Sequence, residues 1–284
     1  MINKHDAMSA WLGLFVGDAL GVPVEFMEEG AFEPVTGYRS GGPHQAALGE
    51  WSDDGAMAMA IADCYISQGH LDLEVCRRNF IQWMEHGTYG TRPKQPAWDV
   101  GGTVRSALRR TQVAGASVAG IADPNSSGNG CIMRLAPCIV WNHGNMANAI
   151  RDAVAQALIT HASPDSIVYT SALAHELWAG SALPEYGHLR EGAFSNGGYV
   201  GDTYRSAWHS IKANHSFASA VLHAVNKGGD ADTVGAVTGM LAGRIYGEIP
   251  QHLIDGLMQS DKLVGVGEQL YCLAPQGCLV RWAW

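Results

Sequence analysis

The sequence predicts an all-α protein, and three observations carry that expectation. Apolar residues recur at three-to-four spacing in nine segments, alternating strand patterns are nearly absent, and two of the segments carry a glycine at every fourth position. With 284 residues, 47% of them hydrophobic and 16% charged, the chain can bury a sizeable core. No long polar or low-complexity tract interrupts it, so one domain spanning 1–284 is expected.

Taken in order, the periodic segments are 4–21, 54–68, 72–85, 100–113, 146–160, 164–178, 202–213, 216–226 and 231–247. The first carries Gly13, Gly17 and Gly21, and the last carries Gly235, Gly239 and Gly243. Each glycine inside a helix costs about 1 kcal/mol relative to alanine, so two such sets need a reason. Close backbone approach of two central helices supplies it. Segment 54–68 follows Trp51-Ser52-Asp53-Asp54-Gly55, where Ser52 or Asp53 can cap the helix. Residues Gly277 to Trp284 alternate weakly and read as a short strand or an irregular tail. Three loops rich in glycine or proline, 37–50, 86–99 and 123–130, separate helical segments, and loops carry function out of proportion to their length.

Composition narrows the function. A net charge of −9 argues against binding nucleic acid or an anionic membrane, which both need a basic footprint. No apolar run reaches the roughly 18 to 20 uninterrupted residues of a membrane span. The six cysteines form no C-x-x-C pair, which suggests neither a zinc site nor a disulfide framework. Together with an N-terminus lacking the features of a signal peptide, this leads to a cytoplasmic location as the expectation.

Two clusters can carry chemistry. Ser52, Asp53 and Asp54 precede one apolar helix, and Asp230, Asp232 and Thr233 precede another. Only one carboxylate of an adjacent pair can cap a helix, and the other repels it unless a cation lies between them. Brought together, the six residues make an all-oxygen site with four carboxylates, which two divalent cations would neutralise. The absence of His and Cys from both clusters favours Mg²⁺ or Mn²⁺ over Zn²⁺. In Ser126-Ser127-Gly128-Asn129-Gly130, small residues allow backbone N–H groups to approach a pyrophosphate, with Arg134 close in sequence. Tyr199 can stack on an adenine or ribose ring, or pack as a staple before its helix.

These residues resemble the ADP-ribosylglycohydrolase family, and within it the bacterial dinitrogenase reductase-activating glycohydrolases. The likeness runs through Gly17-Asp18-Ala19-Leu20-Gly21 with Glu25-Phe26, Trp51-Ser52-Asp53-Asp54, Asp99-Val100-Gly101, Ser127-Gly128-Asn129-Gly130 leading to Met133-Arg134-Leu135-Ala136-Pro137, Thr160-His161, Gly198-Tyr199-Val200 and Gly229-Asp230-Ala231-Asp232-Thr233. The resemblance implies an orthogonal helical bundle around a binuclear metal centre, with Ser52, Asp53, Asp54, Asp230, Asp232 and Thr233 as ligands. It implies Glu25 beside two Mg²⁺ or Mn²⁺ ions and Asp99 acting on the ribose or leaving group. Ser127, Gly128, Asn129, Gly130, Met133, Arg134, His161 and Tyr199 become the implied substrate contacts. Gly55 departs from the family's usual Thr or Ser at a position that is not a usual ligand.

The implied activity is removal of ADP-ribose from a modified protein side chain, with N-linked ADP-ribosyl-arginine first among the acceptors and free ADP-ribose as product. A monomer is expected. Two other readings share the fold: a member that binds ADP-ribose without turnover, and an immunity protein that reverses or blocks a toxin's ADP-ribosylation. The intact set of metal residues favours the enzyme. No G-x-S-x-G occurs, so a Ser/His/Asp hydrolase falls away. Gly265-Val266-Gly267 meets Leu270 where a dinucleotide-binding fingerprint needs its third glycine.

Overall fold

The structure, a computed structural model, describes residues 1–115 and 118–275. Within them twelve α-helices follow one another: α1 (Lys4–Gly21), α2 (Asp53–Gln68), α3 (Leu73–His86), α4 (Gly102–Ala114), α5 (Ala136–Trp141), α6 (Met146–Ala157), α7 (Pro164–Ala179), α8 (Val200–Ala213), α9 (Phe217–Val225), α10 (Ala231–Tyr246), α11 (Gln251–Asp255) and α12 (Ser260–Leu273). Strand pairing among the described residues is confined to four isolated bridges, so the fold class is all-α. The weakly alternating stretch Gly277 to Trp284 lies outside the described residues.

The glycine repeats place α1 against α10 in antiparallel register. A Cβ on Gly13 would lie 2.2 Å from the carbonyl oxygen of Gly239, one on Gly17 1.9 Å from that of Gly235, and one on Gly243 2.1 Å from that of Ser9. No side chain fits at such distances, so backbone meets backbone along the whole pair. Both helices are buried on nearly every face, and the other helices pack around them. This corrects the expectation about apolar runs. The segment Lys4–Val24 is long and apolar enough to cross a membrane by length and composition, with mean hydropathy 1.5, yet 94% of it is buried inside the protein. It is the core helix.

Three helices that periodicity did not predict, α5, α11 and α12, have local reasons for being missed. α5 and α11 are too short to show a period. α12 contains Gly265 and Gly267, which weaken its helical pattern, but a Cβ on Gly267 would lie 2.4 Å from the Trp11 ring, so this glycine is a packing device. The Trp11 indole N–H donates to the Leu263 carbonyl over 2.7 Å and fastens α12 to the central pair. α4 starts at Gly102, two residues later than periodicity suggests, because Asp99 takes a left-handed backbone (φ 51°) just before it.

Candidate active site

The chain reaches the site through α1. Asp18, fully buried in that helix, accepts hydrogen bonds from the backbone N–H of Ser52 at 2.8 Å and of Gly55 at 2.9 Å. The expected local cap by Ser52 or Asp53 is therefore corrected: neither side chain bonds to the free N–H groups of α2, and Asp18 takes that of Gly55 from across the core. Relieved of capping, Ser52 turns its hydroxyl toward Asp54 (3.2 Å) and Asp53 (3.5 Å).

The second cluster arrives by the same device. Asp230 occupies the cap position of α10 without capping it, because its carboxylate accepts from the Asn129 amide at 2.6 Å. Gly228 and Gly229 both have φ of 64°, and that turn lets Gly229 donate to the Met27 carbonyl (2.8 Å) while Phe26 donates to Gly229 (2.6 Å). This pairing draws Glu25 to Asp230. Thr233 donates its hydroxyl to Asp54 at 3.4 Å, across 179 residues of chain. The two patches predicted from sequence thus meet over the N-termini of α2 and α10, whose dipoles favour negative charge.

Ligand-capable oxygens of Asp18, Asp54 and Asp232, of Glu25, Asp230 and Asp232, and of Asp53, Asp99 and Asp232 each lie within 4.8 Å of one another. Asp232 belongs to all three trios. Burial first, and mutual repulsion second, push Asp53, Asp54 and Asp232 well above the usual carboxylate range. Burial, then the charges of Asp99, Asp230, Asp54 and Asp18, push Glu25 up to about 10. Asp18 is pushed up to about 7 by burial, against the two backbone bonds that pull it down. Without a counter-charge, then, this cluster holds protons at neutral pH. Asp54 Oδ1 is buried and has no hydrogen-bond partner among the described residues. An orphaned oxygen amid buried acids fits a divalent cation in chemistry and in position. Asp18 is the exception, since both its oxygens are already engaged by the backbone of α2.

A second layer comes from loops 37–50 and 86–99. Glu50, 3% exposed, accepts from Arg92 at 2.8 and 2.9 Å and from Thr91 at 2.8 Å, and Arg92 also donates to the His44 carbonyl at 3.1 Å. That staple sets His44 Nε2 at 2.7 Å from Glu25 and 3.8 Å from Asp99. Burial raises Asp99 as well, with His44 opposing. Sequence reasoning missed Asp18, His44 and the Glu50–Arg92 pair, although all but Asp18 sit in two of the three loops it singled out.

Beside the acids opens a cleft of ≈ 210 Å³ lined by Glu25, Asp53, Asp99, Asp230, Asp232 and Thr233 on one side. Thr103, Gly128, Asn129, Gly130, Met133 and His161 line the other. A wider groove of ≈ 590 Å³ between α1, α9, α10 and α11 holds a single carboxylate, Glu248, and no acidic cluster. Gly128 and Gly130 face the imidazole of His161: a Cβ on either would come within 3.2 and 3.0 Å of it. Ser127, by contrast, bonds through its hydroxyl to Ser163 and the Pro124 carbonyl, away from the cleft. Tyr199 stands at the rim beside Gly198, its hydroxyl donating to Asp165 at 2.8 Å.

Arg134 requires a correction. Its side chain is fully buried and does not reach the cleft; it donates to Gln156 Oε1 (2.6 Å) and to the Thr160 hydroxyl (2.7 Å), and lies over the Phe80 ring at 4.6 Å. A guanidinium only donates, so Thr160 accepts from it and passes its own proton to His161 Nδ1, 2.8 Å away. Burial, and then Arg134, hold His161 down to about 3, hence neutral. Its remaining proton sits on Nε2, which faces Gly128 and the cleft as a donor.

Comparison with known proteins agrees with this geometry. The family model described as ADP-ribosylglycohydrolase matches residues 3–188 and 175–278. The chain is 32% identical to the ADP-ribosylarginine hydrolase Tri1 of Serratia proteamaculans (strain 568), over 95% of this chain and 80% of that protein. It is 33% identical to the ADP-ribosyl-[dinitrogen reductase] glycohydrolase of Rhodospirillum rubrum, over 86% of this chain and 87% of that one. A solved structure described as an ADP-ribosylglycohydrolase-related protein complex superposes with a TM-score of 0.82 at 30% identity, covering 95% of this chain and 98% of its own. An all-α core, acidic clusters converging from two helix starts and full-length similarity lead to one conclusion: the chain belongs to the ADP-ribosylglycohydrolase family.

Proposed function

We propose that this chain hydrolyses the N-glycosidic bond that joins ADP-ribose to a protein arginine. One observation carries the reading: two acidic patches far apart in sequence meet in one buried cluster with an unpartnered carboxylate oxygen, Asp54 Oδ1, beside a cleft. Ser52, Asp53, Asp54, Asp230, Asp232 and Thr233 would hold two Mg²⁺ or Mn²⁺ ions, which when bound supply charge neutralisation and a water of lowered pKa.

The chain's own residues do the rest. As the bond from the anomeric carbon to the guanidinium nitrogen lengthens, positive charge grows on the ribose, and the flanking carboxylates stabilise it. Glu25 and Asp99 handle the proton between them, with His44 in contact with Glu25 and 3.8 Å from Asp99. Gly128 and Gly130 leave room for the diphosphate to approach the backbone, and His161 Nε2–H donates to the bound nucleotide. Asn129 orients Asp230 from the substrate side.

The chemistry of the relatives supports this choice of linkage, since Tri1 is named for ADP-ribosyl-arginine. A monomer in a reducing, cytoplasmic setting suits the free thiols of Cys64, Cys76, Cys131 and Cys138, and the net charge of −9 suits a protein substrate better than nucleic acid. The test is release of ADP-ribose from ADP-ribosyl-arginine in Mg²⁺ or Mn²⁺ and its loss in EDTA. Turnover unchanged by EDTA sinks the assignment of the metal; no turnover of ADP-ribose linked to Arg, Ser or phosphate sinks the activity.

A further inference from the structure

The outer face of α4 carries charge of the wrong sign for this protein. In a chain of net charge −9, Arg105, Arg109 and Arg110 stand exposed on one short helix that has no acidic residue. None of the three forms an ion pair with a carboxylate among the described residues. Arg110 donates to the Ala119 carbonyl, while Arg105 and Arg109, one turn apart, are left facing solvent. Between them lies a shallow depression of ≈ 630 Å³ lined by Gly102, Arg105, Ser106, Arg109, Arg110 and Val113, the last 92% exposed.

Its position gives the face a use. Gly102 lines both this depression and the catalytic cleft, so the two are continuous at the mouth of the site. The acidic cluster lines the cleft, and Gly102 with the first turn of α4 forms the part of its mouth nearest the arginines, beside the path of a polypeptide that bears the modified residue. The three arginines and the lack of any acid on α4 make this face attract an acidic chain.

We propose that the Arg105–Arg109 face of α4 docks an acidic segment flanking the ADP-ribosylated residue of the protein substrate, with Val113 covered by an apolar residue of that segment. The inference rests on the cleft being the hydrolytic site. It assigns to these arginines selection among protein substrates and no part in the bond cleavage.

The experiment uses the full chain with Mg²⁺ and three substrates: ADP-ribosyl-arginine itself, and two peptides that carry one ADP-ribosylated arginine flanked by Asp and Glu or by Ser and Gly. Two or three exposed ion pairs are worth about a three- to tenfold preference in kcat/KM for the acid-flanked peptide, shrinking as salt is raised. R105S/R109S removes that preference, R105E/R109E reverses it, and both leave ADP-ribosyl-arginine within about twofold of the unaltered protein. Equal turnover of the two peptides by the unaltered protein overturns the proposal. An equal loss on ADP-ribosyl-arginine also overturns it, because the arginines then serve the nucleotide. Fluorescence anisotropy of the unmodified acid-flanked peptide reads docking without turnover. Tighter binding than the neutral peptide, lost in R105E/R109E, supports the surface even should the hydrolytic reading fail; equal binding removes the surface while hydrolysis stands.

Discussion

Replacing Thr160 by valine isolates the buried relay behind His161. The substitution keeps shape and removes one hydroxyl, which accepts from Arg134 at 2.7 Å and donates to His161 Nδ1 at 2.8 Å. Arg134 keeps its bonds to Gln156, so the guanidinium is weakened and not orphaned, while Nδ1 loses the only partner it has among the described residues. An unsatisfied buried nitrogen costs about 1–3 kcal/mol and the one bond lost by a guanidinium that stays paired with Gln156 about 1 kcal/mol more, giving roughly 2–4 kcal/mol together. That leaves the fold standing against a total stability of about 5–15 kcal/mol. Freed from its tether, the imidazole no longer aims Nε2–H at the cleft, and one substrate hydrogen bond of about 1.4 kcal/mol corresponds to a tenfold fall in kcat/KM. The stability change is read from urea midpoints, and the activity change from ADP-ribosyl-arginine hydrolysis. Thr160→Ser, which retains the hydroxyl, restores both. Nitrogen-15 NMR of the imidazole reports the tautomer in the unaltered protein. A proton on Nδ1, or a Thr160→Val enzyme of full activity, refutes the relay.

Other consequences follow from the same geometry. Asp53→Asn or Asp230→Asn lowers turnover at least about a hundredfold while far-ultraviolet circular dichroism stays unchanged, because these acids act on the reaction and not on helix packing; full activity in both variants contradicts the assigned roles. Gly17→Ala places a methyl 1.9 Å from the Gly235 carbonyl oxygen and costs more than about 3 kcal/mol or prevents folding. Gly265→Ala in α12, with nothing within 4 Å, is neutral or stabilising by up to about 1 kcal/mol, so thermal melts of the two variants should move in opposite directions. In EDTA, stability should fall as pH rises, because the folded acids keep protons that the unfolded chain has already lost. For Asp18 the loss runs from 3.8 to about 7, and for Glu25 from 4.5 to about 10; below those lower limits the stabilisation is complete. Mg²⁺ or Mn²⁺ should therefore raise the melting temperature more at pH 8 than at pH 5, and an equal rise at both would contradict the buried cluster as the binding site.

How far the sequence discloses this site depends on the range of the interactions involved. The apolar period and the four-residue glycine spacing are local, and they marked α1 and α10 as a close pair; the two acidic helix starts were equally visible, as pairs of carboxylates that no single cap explains. Asp18 was hidden because its partners, Ser52 and Gly55, lie on another helix, and a lone aspartate in an apolar run carries no sign of what it caps. His44 was hidden for a similar reason, since its placement depends on Glu50 and Arg92, which meet only after two loops fold together. Arg134 misled through proximity: it lies four residues from Gly130, but burial turned it into the core, where it acts on the cleft through Thr160 and His161.

The account depends most on hard cations bridging the starts of α2 and α10. Crystals grown with Mn²⁺ and measured at an anomalous-scattering wavelength test this directly. Two anomalous peaks held among Ser52, Asp53, Asp54, Asp230, Asp232 and Thr233 are the result predicted; a map without density there, or one that puts these carboxylates in separate places, contradicts it.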